Sequence, residues 1–194
     1  RCDWSSDVCS SDLGGISCYS NPSLASLSLP VLASVGDNFT CQSNPALASL
    51  SLPVLASVGS GFNCASNPAL ASLSLPVLAS VGSWFGCTSN DILASLSLPV
   101  LASVGSGFSC YSNPALASLS LPVLASLGDN FYCDDNAFPS STVNSLLGTL
   151  VAISPALTGI SIWLYGQTPS APPTGPGITD KATLIANGNS VSTD

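Results

Sequence analysis

Six cysteines that recur every 23 residues are the most reactive side chains in the sequence. They are Cys18, Cys41, Cys64, Cys87, Cys110 and Cys133. A thiolate can attack a substrate or bind a metal, but catalysis needs a base and zinc sites use C-x-x-C pairs or His partners. The chain has no His and no such pair. We therefore expect no metal site, no cofactor and no cysteine nucleophile.

The cysteine column has two other interpretations. Stacked coils about 4.8 Å apart would bring neighbouring cysteines within the Cα distance that disulfides accept. A free buried thiol, however, behaves as a small hydrophobe, and the column shares its inward phase with Phe. We favour buried thiols over disulfides.

Serine and aspartate supply the remaining candidate chemistry. A nucleophilic Ser needs a base such as His, so the recurrent Ser residues are interpreted as an outward face. Asp129, Asp134 and Asp135 offer oxygen ligands for calcium, but Asp also stabilises turns, and we interpret them as corner residues. With no catalytic constellation, the sequence predicts a protein that is not an enzyme.

The charge balance limits the class of partner. Ten Asp residues face only Arg1 and Lys181, for a net charge of −8. Nucleic-acid binding depends on Lys and Arg that neutralise phosphates, so we expect no nucleic-acid partner. Only 6% of residues are charged and 46% are hydrophobic, which predicts a large core under a surface of hydroxyls and amides.

The cysteines belong to a 23-residue repeat that runs from Cys18 to Cys133. Its template is C-x-x-N-P-x-L-x-S-L-x-L-P-x-L-x-S-V-G-x-x-F-x, and a fixed period of this length predicts a solenoid. Ser-Leu-Ser-Leu alternates as a strand with Leu inward, and Phe-x-Cys alternates as a second short strand. Stacked coils would bury the Leu, Phe and Cys columns.

Two polar or small columns are expected to form the corners of the coil. An Asn column is predicted to satisfy backbone groups inside the stack, and it comprises Asn21, Asn44, Asn67, Asn90, Asn113 and Asn136. A Gly column is predicted at a corner that needs a positive φ, and it comprises Gly36, Gly59, Gly82, Gly105 and Gly128.

These motifs carry a resemblance. F-x-C-x-x-N-P-x-L resembles the leucine-rich-repeat hallmark L-x-L-x-x-N-x-L, and the longer pattern is similar to receptor L domains and BspA-like bacterial repeats. The resemblance covers residues 14–138 and implies a mainly β fold, a right-handed leucine-rich-repeat or β-solenoid of about five to six coils. Such scaffolds carry many roles, so it implies partner binding without naming the partner.

The first residues break the repeat register. Residues 3–13 resemble the in-frame translation of a common sequencing-library adapter, whereas repeat-like sequence begins near Gly14. We therefore interpret residues 1–13 as an artefactual leader and exclude them from fold reasoning. No signal peptide is visible.

Differences between the copies gather beside the Cys column. In leucine-rich repeats the equivalent positions line the surface that binds partners, and Tyr and Trp suit recognition. The alternative is drift on a tolerant solvated face. The candidate binding residues are Tyr19, Gln42, Asn63, Trp84, Thr88, Tyr111, Tyr132 and Asp134.

The Ser-x-Ser positions are constant instead. They predict a flat hydroxyl array that is similar to the Thr ladders of ice-binding solenoids, although Ser lacks their methyl group. Ice binding is therefore the least favoured function.

The template ends near residue 138. Ser141 is predicted to cap a helix that reaches Val151, and Ile160–Leu164 is predicted to be a strand on the final solenoid edge. Residues 139–167 would thus form a helix-strand cap. The charge-free stretch from 143 to 165 is long enough to cross a membrane, but its Asn, Ser, Gly and Pro residues make a span unattractive.

Residues 168–194 are interpreted as a Pro/Gly-rich connector followed by a short helix and a strand. Thr179 or Asp180 is predicted to cap that helix, Gly188 to end it, and Ser190–Thr193 to form the strand.

The sequence as a whole predicts a non-enzymatic scaffold for protein or glycan recognition, extracellular or displayed on a cell or virion. The alternative is a structural protein that assembles into fibres through an open solenoid end.

Overall fold

The 23-residue spacing of the sequence becomes a stacking repeat in the three-dimensional structure. A computed structural model describes residues 14–194, so the proposed leader lies outside the described residues. Equivalent strands of successive coils pair in parallel and in register, so that Phe39 lies beside Phe62 and Leu27 beside Leu50. The protein is a mainly β solenoid of about five coils, followed by a segment with two short helices.

Each coil contributes short strands of two to four residues. The solenoid strands are β1 (Ile16–Tyr19), β2 (Ser26–Ser28), β3 (Ser34–Val35), β4 (Phe39–Gln42), β5 (Ser49–Ser51), β6 (Ser57–Val58), β7 (Phe62–Asn63), β8 (Ser72–Ser74), β9 (Ser80–Val81), β10 (Phe85–Gly86), β11 (Ser95–Ser97), β12 (Ser103–Val104), β13 (Phe108–Ser109), β14 (Ser118–Ser120), β15 (Ser126–Leu127) and β16 (Phe131–Tyr132). The C-terminal elements are α1 (Ser140–Val151), β17 (Ser161–Leu164), α2 (Pro176–Ala186) and β18 (Ser190–Thr193).

The strands form the sides of the solenoid. One side is an eight-stranded sheet in the order β1-β4-β7-β10-β13-β16-β17-β18, and a second is a five-stranded sheet in the order β15-β12-β9-β6-β3. The Ser-Leu-Ser strands form a three-stranded sheet, β2-β5-β8, and a separate two-stranded sheet, β11-β14. Both predicted strands are confirmed. The Ser-Val strand was missed because a two-residue strand leaves no alternation to detect.

The Phe column forms a continuous stack inside the coil. Five rings from Phe39 to Phe131 lie 4.9–5.1 Å apart between centroids and 5–13° from parallel. Each ring is 0–1% exposed. Burial of each large apolar side chain contributes about 1.5–3 kcal/mol, so the stack joins the coils from within.

The Asn column confirms its prediction. The Asn44 backbone N–H donates to Asn67 Oδ1 at 2.9 Å, and Asn67 Nδ2 donates to the Cys41 carbonyl oxygen at 2.9 Å. The same two bonds recur at Asn90 and Asn113. Each buried amide therefore satisfies two backbone groups that would otherwise be orphaned, which fixes the spacing of neighbouring coils.

The prediction that the Gly column needs a positive φ is wrong. The left-handed residue of each coil is the one before Asn, with φ of 53–58° at Ser20, Ser43, Ser66, Ser89, Ser112 and Asp135. Glycine is needed for space instead, since a Cβ on Gly59 would collide with the Gly36 carbonyl oxygen. The sequence shows that this glycine is invariant between coils. It does not show whether a positive φ or a close contact between coils requires it.

Helix α1 begins one residue before the predicted cap. Pro139 occupies the N-cap position in an extended conformation and makes no side-chain cap hydrogen bond. The prediction of Ser141 as N-cap is therefore wrong, because the Pro ring already fixes the geometry at which the helix starts. The predicted apolar stripe is confirmed by the buried side chains of α1, which are Val143, Leu146, Leu147 and Leu150.

Helix α2 also begins earlier than predicted. Gly175 is its N-cap and Pro176 its first residue, so the cap predicted at Thr179 or Asp180 is wrong. Proline at the first helical position is pre-organised for a helix, which moves the start forward. The predicted end is confirmed, since Asn187 is the C-cap and Gly188 has a φ of 87°.

The C-terminal elements continue the solenoid. Strand β17 pairs in parallel with β16, as predicted for the final edge, and β18 pairs with β17. Gln167 takes over from the Asn column, because its Nε2 donates to the Cys133 carbonyl oxygen at 3.1 Å. Within residues 14–194, neither helix has the length and apolar character that crossing a membrane requires.

Candidate binding face

The eight-stranded sheet presents two files of outward side chains, which we call the binding face. Inward residues alternate with them, as in β1, where Ile16 and Cys18 are buried and Ser17 and Tyr19 are exposed. The first file contains Ser17, Thr40, Asn63, Gly86, Ser109, Tyr132, Trp163 and Ser192. The second contains Tyr19, Gln42, Ala65, Thr88, Tyr111, Asp134 and Tyr165.

All of the predicted binding residues except Trp84 lie in these files. Trp84 lies two residues before Gly86 in the chain and belongs to neither file. Its indole ring reaches the same face, because a Cβ on either Gly61 or Gly86 would meet the ring at 2.6–2.7 Å. The ring therefore covers the backbone of two neighbouring coils, and it remains 40% exposed. Gly86, the only position of the first file without a side chain, is what makes room for it.

The N-terminal part of the face is polar. Asn63 Nδ2 donates to Gln42 Oε1 at 2.8 Å, which joins two predicted residues across neighbouring coils. Tyr19, at 59% exposure, is the most exposed aromatic residue of the face. In this region the side-chain amides of Gln42 and Asn63 fix each other's position, and Tyr19 lies at the edge.

The C-terminal part of the face is aromatic. The ring centroids of Tyr132 and Trp163 lie 4.3 Å apart, and those of Trp163 and Tyr165 lie 6.0 Å apart. Trp163 and Tyr165 were not predicted as binding residues, because β17 was not assigned a register. The alternation of Ile160, Ile162 and Leu164 as inward residues was the signal that could have found them.

Asp134 follows Tyr132 on the same face, and one of its two carboxylate oxygens has no hydrogen-bond partner. This oxygen is Oδ1, and the residue is only 7% exposed. Burial raises the pKa of Asp134 above its ordinary value, and the neighbouring Asp135 carboxylate adds to the rise. Partial desolvation and the negative charges of Asp134 and Asp135 also raise the pKa of Tyr165.

The alternative calcium site has no support in the geometry. Asp129 Oδ1 accepts the backbone N–H of Asn130 at 2.8 Å, as expected of a turn residue. In the described part of the chain, no group of three or more His, Cys, Asp or Glu side chains is arranged to hold a metal ion.

The cysteine column lies inside the solenoid. Cys41, Cys64, Cys87, Cys110 and Cys133 are fully buried free thiols, and Cys18 is buried in the same column. Burial raises the pKa of Cys41 to about 12 and raises those of Cys64 and Cys133 as well. Since the thiolate is the reactive form, these side chains serve as packing groups.

The constant Ser face is interrupted. A cavity of about 180 Å³ lies between β8 and β11 and is lined by Leu73, Ser74, Leu75, Pro76, Ser97 and Pro99. Ser49 and Ser51, between two paired neighbours, are half-buried, whereas Ser74 and Ser97 beside the gap are exposed. The predicted flat hydroxyl array is therefore two shorter arrays.

The fold defines a β-solenoid with polar and aromatic side chains gathered on one sheet. No protein-family model matches the sequence, and neither a curated protein nor a solved structure matches it significantly.

Proposed function

We propose that the protein is a non-enzymatic scaffold of leucine-rich-repeat type that recognises a protein or glycan partner through the binding face. We further propose that it acts outside the cell, displayed on a cell or virion surface. The observation that carries the proposal is the gathering of exposed aromatic side chains from separate coils onto one sheet. Tyr19, Trp84, Tyr111 and Tyr165 are each 37–59% exposed there.

The physical basis is a rigid support beneath variable side chains. The stacked rings of the Phe column and the hydrogen-bonded Asn column, which we call the Phe stack and the Asn ladder, hold every coil at a fixed spacing. The outward residues therefore keep their relative positions without a partner. Pre-organised aromatic groups lose little entropy on binding and contribute large contact areas. Extended solenoid faces commonly bind partners in this way.

Paired variants test the proposal. A panel of immobilised glycans and purified surface proteins supplies the ligand, and its affinity is then measured by calorimetry. Trp84→Ala with Tyr111→Ala should weaken binding at least tenfold, since exposed aromatic anchors carry most interface energy. Ser49→Ala with Ser51→Ala is the matched control on another side and should change affinity less than about twofold. Unchanged affinity in the aromatic variant would refute the proposal.

Self-assembly is the second candidate, and the sheet edges favour it. Strands β1 and β18 terminate the eight-stranded sheet, and neither has a second partner strand among residues 14–194. Unpaired edges template pairing with another chain, and β18 of one molecule could extend the sheet at β1 of the next. Filaments that lengthen with protein concentration in electron micrographs would support this function, and a monomer at all concentrations would refute it.

A further inference from the structure

The C-terminal part of the binding face holds a group of side chains that we call the aromatic–carboxylate cluster. It consists of Tyr111, Tyr132, Asp134, Trp163 and Tyr165. The backbone N–H of Ser112 donates to the Asp134 carbonyl oxygen, and that of Asp135 donates to the Tyr165 carbonyl oxygen. This register sets Asp134 between Tyr111 and Tyr165, on the segments that follow β13, β16 and β17. The Tyr132–Trp163 pair lies in the adjacent file.

The cluster contains a carboxylate that no Lys or Arg of the described chain neutralises, and one of its oxygens has no hydrogen-bond partner. Asp134 Oδ1 accepts no hydrogen bond although the residue is nearly buried. The only Lys or Arg within residues 14–194 is Lys181, whose Nζ donates to Thr193 Oγ1 at 2.8 Å. An uncompensated buried charge is costly, so the cluster gains most from a ligand that brings a cation.

The aromatic residues select the same kind of ligand. Tyr and Trp rings attract cations through their negative faces, and guanidinium both stacks on such rings and pairs with carboxylates. Tyr111 and Tyr165, at 38% and 37% exposure, leave their rings open to a ligand on either side of Asp134. A neutral sugar could stack on Trp163, but it would cover Asp134 without supplying a compensating charge.

We propose that the aromatic–carboxylate cluster binds the guanidinium group of an arginine side chain of a protein partner. The inference rests on the proposed recognition function and narrows the partner from protein or glycan to a protein with an exposed arginine. The guanidinium would lie against Trp163 and Tyr165 and direct its N–H groups toward Asp134.

The experiment titrates the full chain with a short peptide that carries one central arginine, and with the same peptide in which citrulline replaces arginine. Citrulline has nearly the same shape but no charge. The indole N–H signals of Trp163 and Trp84 are followed by two-dimensional NMR. We expect saturable shifts at Trp163 with the arginine peptide, little change at Trp84, and at least tenfold weaker binding of the citrulline peptide.

Two variants and one control variant show which side chains bind the arginine peptide. Asp134→Asn keeps the shape of the side chain and should weaken arginine binding about tenfold or more, and Trp163→Leu should remove most of it. Val100→Ala, at a 42% exposed position outside the binding face, should leave it unchanged. Dispersed spectra of each variant verify the fold.

Three outcomes would overturn the inference. They are equal binding of the two peptides, no shift at Trp163 up to about 10 mM peptide, and tight binding of neutral oligosaccharides that is insensitive to Asp134→Asn. The last would make the partner a glycan and leave the broader recognition function standing. The broader recognition function is refuted by a different result, namely a partner whose affinity does not change in the Trp84→Ala with Tyr111→Ala variant.

Discussion

Two sides of the same solenoid differ in continuity. The eight-stranded sheet runs unbroken from β1 to β18, whereas the Ser-Leu-Ser side is divided between β8 and β11. The continuous side lies over the Phe stack and beside the Asn ladder, which join coils through buried side chains. The divided side relies on backbone hydrogen bonds and Leu packing. Of these two sides, the continuous one is joined by buried side chains as well as by backbone pairing, and it carries the variable residues.

The division has a sequence correlate. The coil that contains β11 carries Asp91-Ile92 where the coils around it have Pro-Ala. In the neighbouring coils the Ala71 N–H donates to the Ala48 carbonyl oxygen at 2.9 Å and Ala117 to Ala94 at 3.0 Å. No such bond joins Ala94 to Ala71 in the described chain. The local departure from the template thus coincides with the lost pairing.

Removing a ring from the Phe stack should have the largest effect. Phe85→Ala leaves a cavity between Phe62 and Phe108, and a buried Phe→Ala change costs about 3–5 kcal/mol. The free energy of unfolding, measured by urea denaturation, reports the loss. Val100→Ala, at a 42% exposed position, is the control and should cost less than about 1 kcal/mol. Similar losses for both would show that the stack does not join the coils.

Breaking the Asn ladder should come next. Asn67→Ala leaves the Asn44 N–H and the Cys41 carbonyl oxygen without partners, each at about 1–3 kcal/mol. We expect a loss of about 3 kcal/mol in chemical denaturation. The matched control is Asn63→Ala, which removes an amide from the partly exposed Gln42 pair. A loss at Asn63 equal to that at Asn67 would contradict the structural role of the ladder.

The divided side should be the more dynamic one. Amide hydrogen exchange of Ala94 should be faster than that of Ala71 and Ala117, because its N–H lacks the inter-coil bond that they make. Restoring the template with Asp91→Pro and Ile92→Ala should slow it. Equal protection of the three amides in the unmodified chain would indicate that the sheet is continuous in solution.

Substitution of Asp134 should have the smallest effect on stability, and this effect should depend on pH. Because burial raises the folded-state pKa, the ionised carboxylate destabilises the native chain, and this penalty is present above the raised pKa. Asp134→Asn should therefore raise the melting temperature slightly at pH 7. The gain should shrink as the pH falls toward the ordinary Asp value of 3.8, where the unfolded chain is also protonated. A gain that does not depend on pH would contradict the assignment.

The repeat made most of the fold predictable. Alternation identified the Phe-x-Cys and Ser-Leu-Ser strands, and the invariant Asn indicated a buried polar ladder. The starts of the helices were not predictable in the same way. Pro139 and Pro176 set them through backbone geometry, whereas Ser141, Thr179 and Asp180 carry the side chains that usually cap a helix. The role of the Gly column depends on the distance between neighbouring coils, and the sequence of a single repeat does not specify this distance.

The candidate site was predictable only where it repeats. Tyr111, Tyr132 and Asp134 stand out because the template marks their positions as outward. Trp163 and Tyr165 follow the end of the template, so their place beside Tyr132 and Asp134 depends on the β16–β17 register. The lack of a hydrogen-bond partner at Asp134 Oδ1 likewise depends on the residues around it in space, and no local sequence pattern encodes it.

Chemical-shift mapping of a bound partner across the whole chain distinguishes the binding face from the other sides of the solenoid. We expect the perturbed signals to gather on the binding face and to be strongest at Trp84, Tyr111 and Trp163, while Ser49–Ser51 and Ser95–Ser97 remain unchanged. Perturbations confined to the Ser-Leu-Ser strands would contradict this expectation and move the function to the divided side.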